Sequence, residues 1–124
     1  MQLINDFFHI ISAAHDVTSG AYRIALNPEH FVFKAHFPGN PVTPGVCQLK
    51  IIEELMSEQT GEVLRLSHIN NIKYMNIISP TATPELEVRL SRIQKTDEGY
   101  SLQAVMENAD QLFSKMSIQL IHQR

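Results

Sequence analysis

His36 opens a ten-residue stretch, His36-Phe37-Pro38-Gly39-Asn40-Pro41-Val42-Thr43-Pro44-Gly45, that holds three prolines and two glycines. Proline fixes φ, so this stretch predicts a stiff loop rather than a floppy one. Thr43 then suits a helix N-cap and Pro44 the first helical position, and good helix formers follow to about Gln59. Pro44 has no N–H, so the first backbone donor of that helix is Gly45. Early helix N–H groups lack intrahelical partners and carry the positive end of the dipole. Gly45 also has no side chain to block an approaching group. A carbonyl oxygen gaining negative charge fits there, as in an oxyanion hole, while an imidazole held nearby moves a proton. This is a device for removing a proton α to a thioester carbonyl. The same residues are compatible with a histidine that is structural or merely exposed.

The helix that must carry this site is unusually apolar. On a wheel at about 100° per residue, Leu49, Ile51, Ile52, Leu55 and Met56 cover about half the circumference, opposite a stripe of Lys50, Glu53, Glu54 and Ser57. Such a helix is expected to be mostly enclosed. Gln48 falls on the apolar side, either as a core amide bonded to backbone or as a polar group at a subunit contact or substrate channel. Lys50 and Glu54 are spaced to form an i,i+4 pair. Cys47 reads as a buried inert thiol, with activation by the helix start as the alternative.

Around the helix the period changes. Residues 21–26 alternate with Tyr22, Ile24 and Leu26 on one side, and 63–75, 85–95, 99–108 and 111–122 also read as strands. Turns are expected at Thr18-Ser19-Gly20, Asp97-Glu98-Gly99 and Asn108-Ala109-Asp110, with a break around Pro80 and Pro84. Residues 5–17 fit a strand or a short helix, and 30–33 a short apolar patch in a connection. Gly61 is a natural helix stop. One dominant helix followed by a strand meander predicts an α+β chain with an antiparallel sheet curled around that helix.

Composition removes several classes. The 124 residues carry a net charge of −3, which disfavours nucleic acid, and a single cysteine, which excludes an internal disulfide or a multi-cysteine zinc site. No apolar run approaches the ~20 residues of a membrane span. The N-terminus has no positive n-region, so the cytoplasm is the expected compartment. His9, His15, His30, His68 and His122 show no metal-ligand spacing, so no metal and no cofactor are expected. Residues 1–124 are read as one domain.

The run from His36 to Val46 closely resembles the signature of the 3-hydroxyacyl-acyl-carrier-protein dehydratases of fatty-acid synthesis: His-Phe-Pro-Gly-x-Pro-x-x-Pro-Gly before an apolar helix. A second stretch, Ile69-Asn70-Asn71-Ile72-Lys73-Tyr74 with Pro80 after it, is similar to that family's strand ending in a basic–aromatic pair. The resemblance implies the hotdog fold, a sheet wrapped around one long helix, working as a homodimer or a larger or mixed assembly with sites at the subunit interface. It implies His36 as base and the Gly45 N–H as donor to the thioester carbonyl, with Phe37, Pro44, Val46 and Gln48 lining the substrate. The implied substrate is an acyl thioester on acyl carrier protein or CoA. A carrier protein is acidic, so docking on this net-negative chain needs a local basic patch, for which Lys34, Arg65 and Lys73 are candidates. The family's acid stands fourteen residues after its histidine, where this chain has Lys50. Glu54, one turn on, is the candidate replacement. Three outcomes stay open: a dehydratase with a displaced acid, a protein acting on a different thioester such as a thioesterase, and a partner subunit without catalysis.

Overall fold

The computed structural model describes residues 2–35 and 39–123. The elements run β1 (Phe8–His15), β2 (Gly20–Leu26), α1 (Phe31–Ala35), α2 (Gly45–Thr60), β3 (Leu64–Tyr74), β4 (Glu85–Lys95), β5 (Gly99–Asn108) and β6 (Gln111–His122). The strands form one six-stranded sheet in the order β1-β2-β4-β5-β6-β3, with every neighbouring pair antiparallel. The ambiguous N-terminal segment is therefore a strand. The apolar patch at 30–33 is not plain connection, because Phe31–Ala35 closes a short helix that buries Val32 and Phe33.

Alternation decides which face of the sheet meets α2. Tyr22, Ile24 and Leu26, then Leu86, Val88 and Leu90, then Leu102, Ala104 and Met106, then Met116, Ile118 and Leu120 are all buried. They join Ile51, Ile52, Leu55 and Met56 of α2 in one core. Each buried Leu, Ile, Val or Met among them contributes roughly 1.5–3 kcal/mol on leaving water. The register of β4 slips between Ser91 and Gln94, where Arg92 has φ 50°. That bulge shifts the phase by one residue, so Ile93 turns inward instead of outward. The result is the α+β hotdog arrangement that the resemblance implies.

The ends of α2 obey different rules. At its C-terminus Gly61 takes the left-handed conformation at φ 73° and its N–H returns to the Ser57 carbonyl, as a helix stop requires. At its N-terminus the expected cap is absent. Pro44, extended at φ −60° and ψ 150°, occupies the cap position and no side chain bonds the first turn. The Thr43 hydroxyl is instead buried without a hydrogen-bond partner among the described residues. The reason is the preceding backbone: the Thr43 N–H is tied to the Ile78 carbonyl at 2.8 Å, which fixes the loop against the segment after β3. Among the described residues no helix is long and apolar enough to cross a membrane.

Candidate functional site

The start of α2 presents backbone donors with nothing to bond. The Cys47 and Gln48 N–H groups both reach the Pro44 carbonyl, at 3.0 and 3.2 Å. Those of Gly45 and Val46 have no acceptor among the described residues. Val46 is exposed, so the first turn faces outward rather than into the core. Two donors at the positive end of a sixteen-residue helix form an anion-favouring corner.

Tyr74, the last residue of β3, sits directly on this corner. A methyl group added to Gly45 would lie 2.6 Å from its Cζ and 3.2 Å from its Cε2, and closer still to its hydroxyl oxygen. Any side chain at 45 would have to push the half-exposed end of that ring aside, a contact the sequence does not display. Burial pushes the Tyr74 phenol above its ordinary 10.0. The sequence singles out Tyr74 only as half of a basic–aromatic pair and assigns it no role. Its signal was the pair's position at a strand end, which register alone brings to the helix start.

Behind the corner the core is polar at one point. Gln48 is buried, accepts from the Ser114 hydroxyl at 2.8 Å and donates to the Thr43 carbonyl at 3.4 Å. It therefore braces the loop from inside. Cys47 is buried too, and burial raises its thiol above 9.0, as an inert core cysteine requires.

One turn further along the helix, the charged groups take partners that the sequence did not predict. Lys50 Nζ binds Glu53 Oε1 at 2.6 Å, an i,i+3 pair, and not Glu54. Glu53 also accepts the Leu66 N–H at 2.8 Å, joining α2 to β3. Glu54 is buried and accepts three backbone bonds: Leu3 N–H at 3.0 and 2.7 Å and Ile4 N–H at 2.7 Å. A carboxylate so engaged is a strap for the N-terminal segment. Its expected i,i+4 pairing lost because two orphan N–H groups in a buried setting bind a carboxylate more strongly than a half-exposed ammonium does. Lys50, Glu53 and Glu54 do share a cleft of about 460 Å³ with Gln2, Ile4 and Ser57.

His36 and Phe37 lie outside the described residues, so the proposed base and one proposed lining residue have no geometry to report. Gly45, Val46 and Pro44 stand together at the helix start, with Gln48 behind them. Among the described residues no group of three His, Cys, Asp or Glu could hold a metal.

Comparison with known proteins places these features in a wider set. A family model described as ApeI dehydratase matches residues 12–119. The 3-hydroxyacyl-[acyl-carrier-protein] dehydratase FabZ of Legionella pneumophila is 35% identical over 104 residues, covering 73% of this chain and 68% of its own. The chain spans 49% of the length of the FabZ of Chloroflexus aggregans, to which it is 30% identical over 70 residues. Among solved structures, a chain of the dehydratase heterocomplex ApeI:P from Xenorhabdus doucetiae has a TM-score of 0.68 at 21% identity, covering 91% of this chain and 96% of that one. A candidate thioesterase, yhdA of Lactococcus lactis, has a TM-score of 0.58 at 11% identity, covering 94% and 91%. Both share the fold.

Proposed function

Since this chain belongs to the ApeI-like dehydratase family, we propose that it is a cytoplasmic homodimer that dehydrates 3-hydroxyacyl thioesters. The observation that carries the reading is the pair of N–H groups, Gly45 and Val46, that have no acceptor among the described residues at the outward-facing start of α2. A thioester carbonyl oxygen held there gains negative charge as the base removes a proton from C2. The C2–H electrons form the C2=C3 double bond, the C3–O bond breaks, and the hydroxyl leaves as water with the proton that the base took from C2. The thioester itself stays intact. His36 is the base by its place in the family signature, and Gly45 the donor. Gln48, bonded to both Ser114 and the Thr43 carbonyl, keeps the loop rigid and hence the donors aimed.

The carrier is acyl carrier protein in this reading. Lys73 and Lys115 stand directly opposite one another on β3 and β6. They share an outward groove of about 270 Å³ with Asn71, Gln103 and Ser117. Like charges so placed repel, and an acidic surface laid across them removes the repulsion. Lys34, by contrast, is already within 3.6 Å of Glu29.

A second reading rests on Lys50. An ammonium bonded to Glu53 stands where the resembled family keeps its acid. In this alternative a different hotdog chain pairs with this one and supplies the carboxylate. The thioesterase alternative is weaker, because the carboxylate it needs, Glu54, is already engaged by Leu3 and Ile4.

The deciding experiment supplies 3-hydroxyacyl thioesters of several chain lengths, on acyl carrier protein and on CoA. Enoyl absorbance and free thiol are followed together, with His36→Ala as control. Enoyl product with the thioester retained supports the dehydratase. Thiol release without enoyl product supports the thioesterase. Neither, at any length, rejects catalysis by the protein alone and favours the partner subunit.

A further inference from the structure

The front of α2 holds one polar side chain that the chemistry above leaves idle. Tyr74 ends the edge strand, and the half-exposed end of its ring lies over the Cα of Gly45, where a β-carbon would displace it. Burial is the whole cause of its raised pKa, and no hydrogen bond among the described residues contributes. The phenol is therefore a neutral O–H donor throughout the physiological range, with no acceptor assigned to it.

Its neighbours share that condition. Among the described residues the Gly45 and Val46 N–H groups have no acceptor, and the Thr43 hydroxyl, 6% exposed, has no partner. A backbone donor of the helix start and the phenol at the end of β3 thus stand side by side, neither with an acceptor among the described residues. Buried polar groups are nearly always paired, so the Thr43 hydroxyl stands out, whereas Tyr74 and Val46 are exposed and open to an oxygen arriving from outside. Where the polar core is purely structural, as at Gln48 and Ser114, the chain supplies both donor and acceptor.

We propose that the Tyr74 hydroxyl is a second hydrogen-bond donor to the carbonyl oxygen of the bound acyl thioester, beside the Gly45 N–H. The inference rests on the reading that the start of α2 holds that carbonyl. Its effect is greatest when the oxygen carries enolate charge, so it lowers the barrier more than it tightens the ground state. One preorganised donor of this kind is worth about a hundredfold or more in kcat in well-studied oxyanion holes. A neutral phenol assisting a peptide donor is expected to give about ten- to a hundredfold.

The test is Tyr74→Phe, which keeps the ring over Gly45 and removes only the oxygen. With a 3-hydroxyacyl thioester, kcat is expected to fall about ten- to a hundredfold while KM changes less than about threefold. A second readout does not need turnover. In a His36→Ala background, a carbon-13-labelled 3-hydroxyacyl thioester is bound and the carbonyl stretch recorded by difference infrared spectroscopy. The stretch should lie below its solution value, and adding Tyr74→Phe should return part of that shift. Unchanged kcat together with an unchanged carbonyl stretch overturns the proposal. Absence of turnover in the wild-type protein counts against the dehydratase reading alone, and the carbonyl stretch then decides on Tyr74. Failure of the labelled thioester to bind at all overturns both.

Discussion

The first turn of α2 and the turn after it are built from opposite logic. At residues 43–46 donors outnumber acceptors: two N–H groups and a buried hydroxyl have none among the described residues. At residues 50–54 every carboxylate is spoken for. Glu53 holds Lys50 and the Leu66 N–H, and Glu54 holds Leu3 and Ile4. A satisfied polar group does architecture, because moving it leaves a partner orphaned. An unsatisfied one in a fixed frame is available to a ligand. The contrast therefore separates two regions, four residues apart, that charge and spacing alone would merge into one site.

The sharpest way to break the contrast is Gly45→Ala. The new methyl falls 2.6 Å from the Tyr74 ring carbon, so either the ring or the helix start must move. We expect turnover to drop about tenfold or more as Tyr74 is pushed from its place, and stability to fall by only about 1 kcal/mol or less, because the half-exposed ring can swing aside. Steady-state kinetics and urea melts measure the two. A tolerated alanine would mean that the front of the helix is not a working surface.

Glu54→Gln probes the other side. The amide keeps one acceptor oxygen and loses the charge, so the bonds from Leu3 and Ile4 weaken. A loss of about 1–2 kcal/mol is expected, which lowers Tm by roughly 5 °C or more in a domain of this size. Turnover per folded molecule should hold. If kcat collapses while Tm stays put, Glu54 is chemical rather than structural, and the thioesterase reading returns.

Lys50→Met is a smaller perturbation. The Lys50 side chain is a third exposed, so solvent screens the pair and its loss costs about 1 kcal/mol or less. Glu53 retains the Leu66 N–H and keeps α2 joined to β3. A thermal melt within ~4 °C of wild type is the expected result. A gain of dehydration in Lys50→Glu, by contrast, would identify the missing acid as the only obstacle in this chain.

These distinctions explain what was legible in advance. The strands could be read because period-2 alternation is a local property: Leu86, Val88 and Leu90 point inward wherever β4 lies. The helix could be read from its apolar width and from Gly61. What could not be read was long-range. The bonds from Leu3 and Ile4 to Glu54 span about fifty residues, and nothing at Glu54 itself distinguishes a strap from an acid. Tyr74 meets Gly45 through the β3 crossover, a distance no motif encodes. Thr43 was misread as a cap because capping residues are recognised by type, whereas its backbone is claimed by Ile78. The bulge at Arg92 escaped for a related reason, since an arginine at φ 50° carries no sequence mark.

The smallest expected effect lies at the far end of α2, just past Gly61, and it extends the rule of satisfied groups to pH. Glu62 accepts from the Tyr100 phenol, which holds its carboxyl below 4.5, with His122 Nε2 at 2.8 Å adding to the same direction. The same bond pushes Tyr100 up to about 12. A carboxyl depressed by folding stabilises the native state above pH 4.5 and ceases to do so as pH falls through its lowered value. A phenol raised by folding stabilises below pH 10.0 and ceases to do so as pH rises toward about 12. The Tyr100→Phe variant removes the second and the largest cause of the first, leaving Glu62 its bond to His122. The difference in unfolding midpoint between wild type and Tyr100→Phe should therefore be flat from about pH 5 to 10 and shrink outside it on both sides. Because Glu62 and its partners are solvent-accessible, the plateau is small and should fall further in high salt. A difference that grew below pH 4.5 would show that the phenol bonds something other than the ionised carboxylate, and that this end of the helix does not follow the rule.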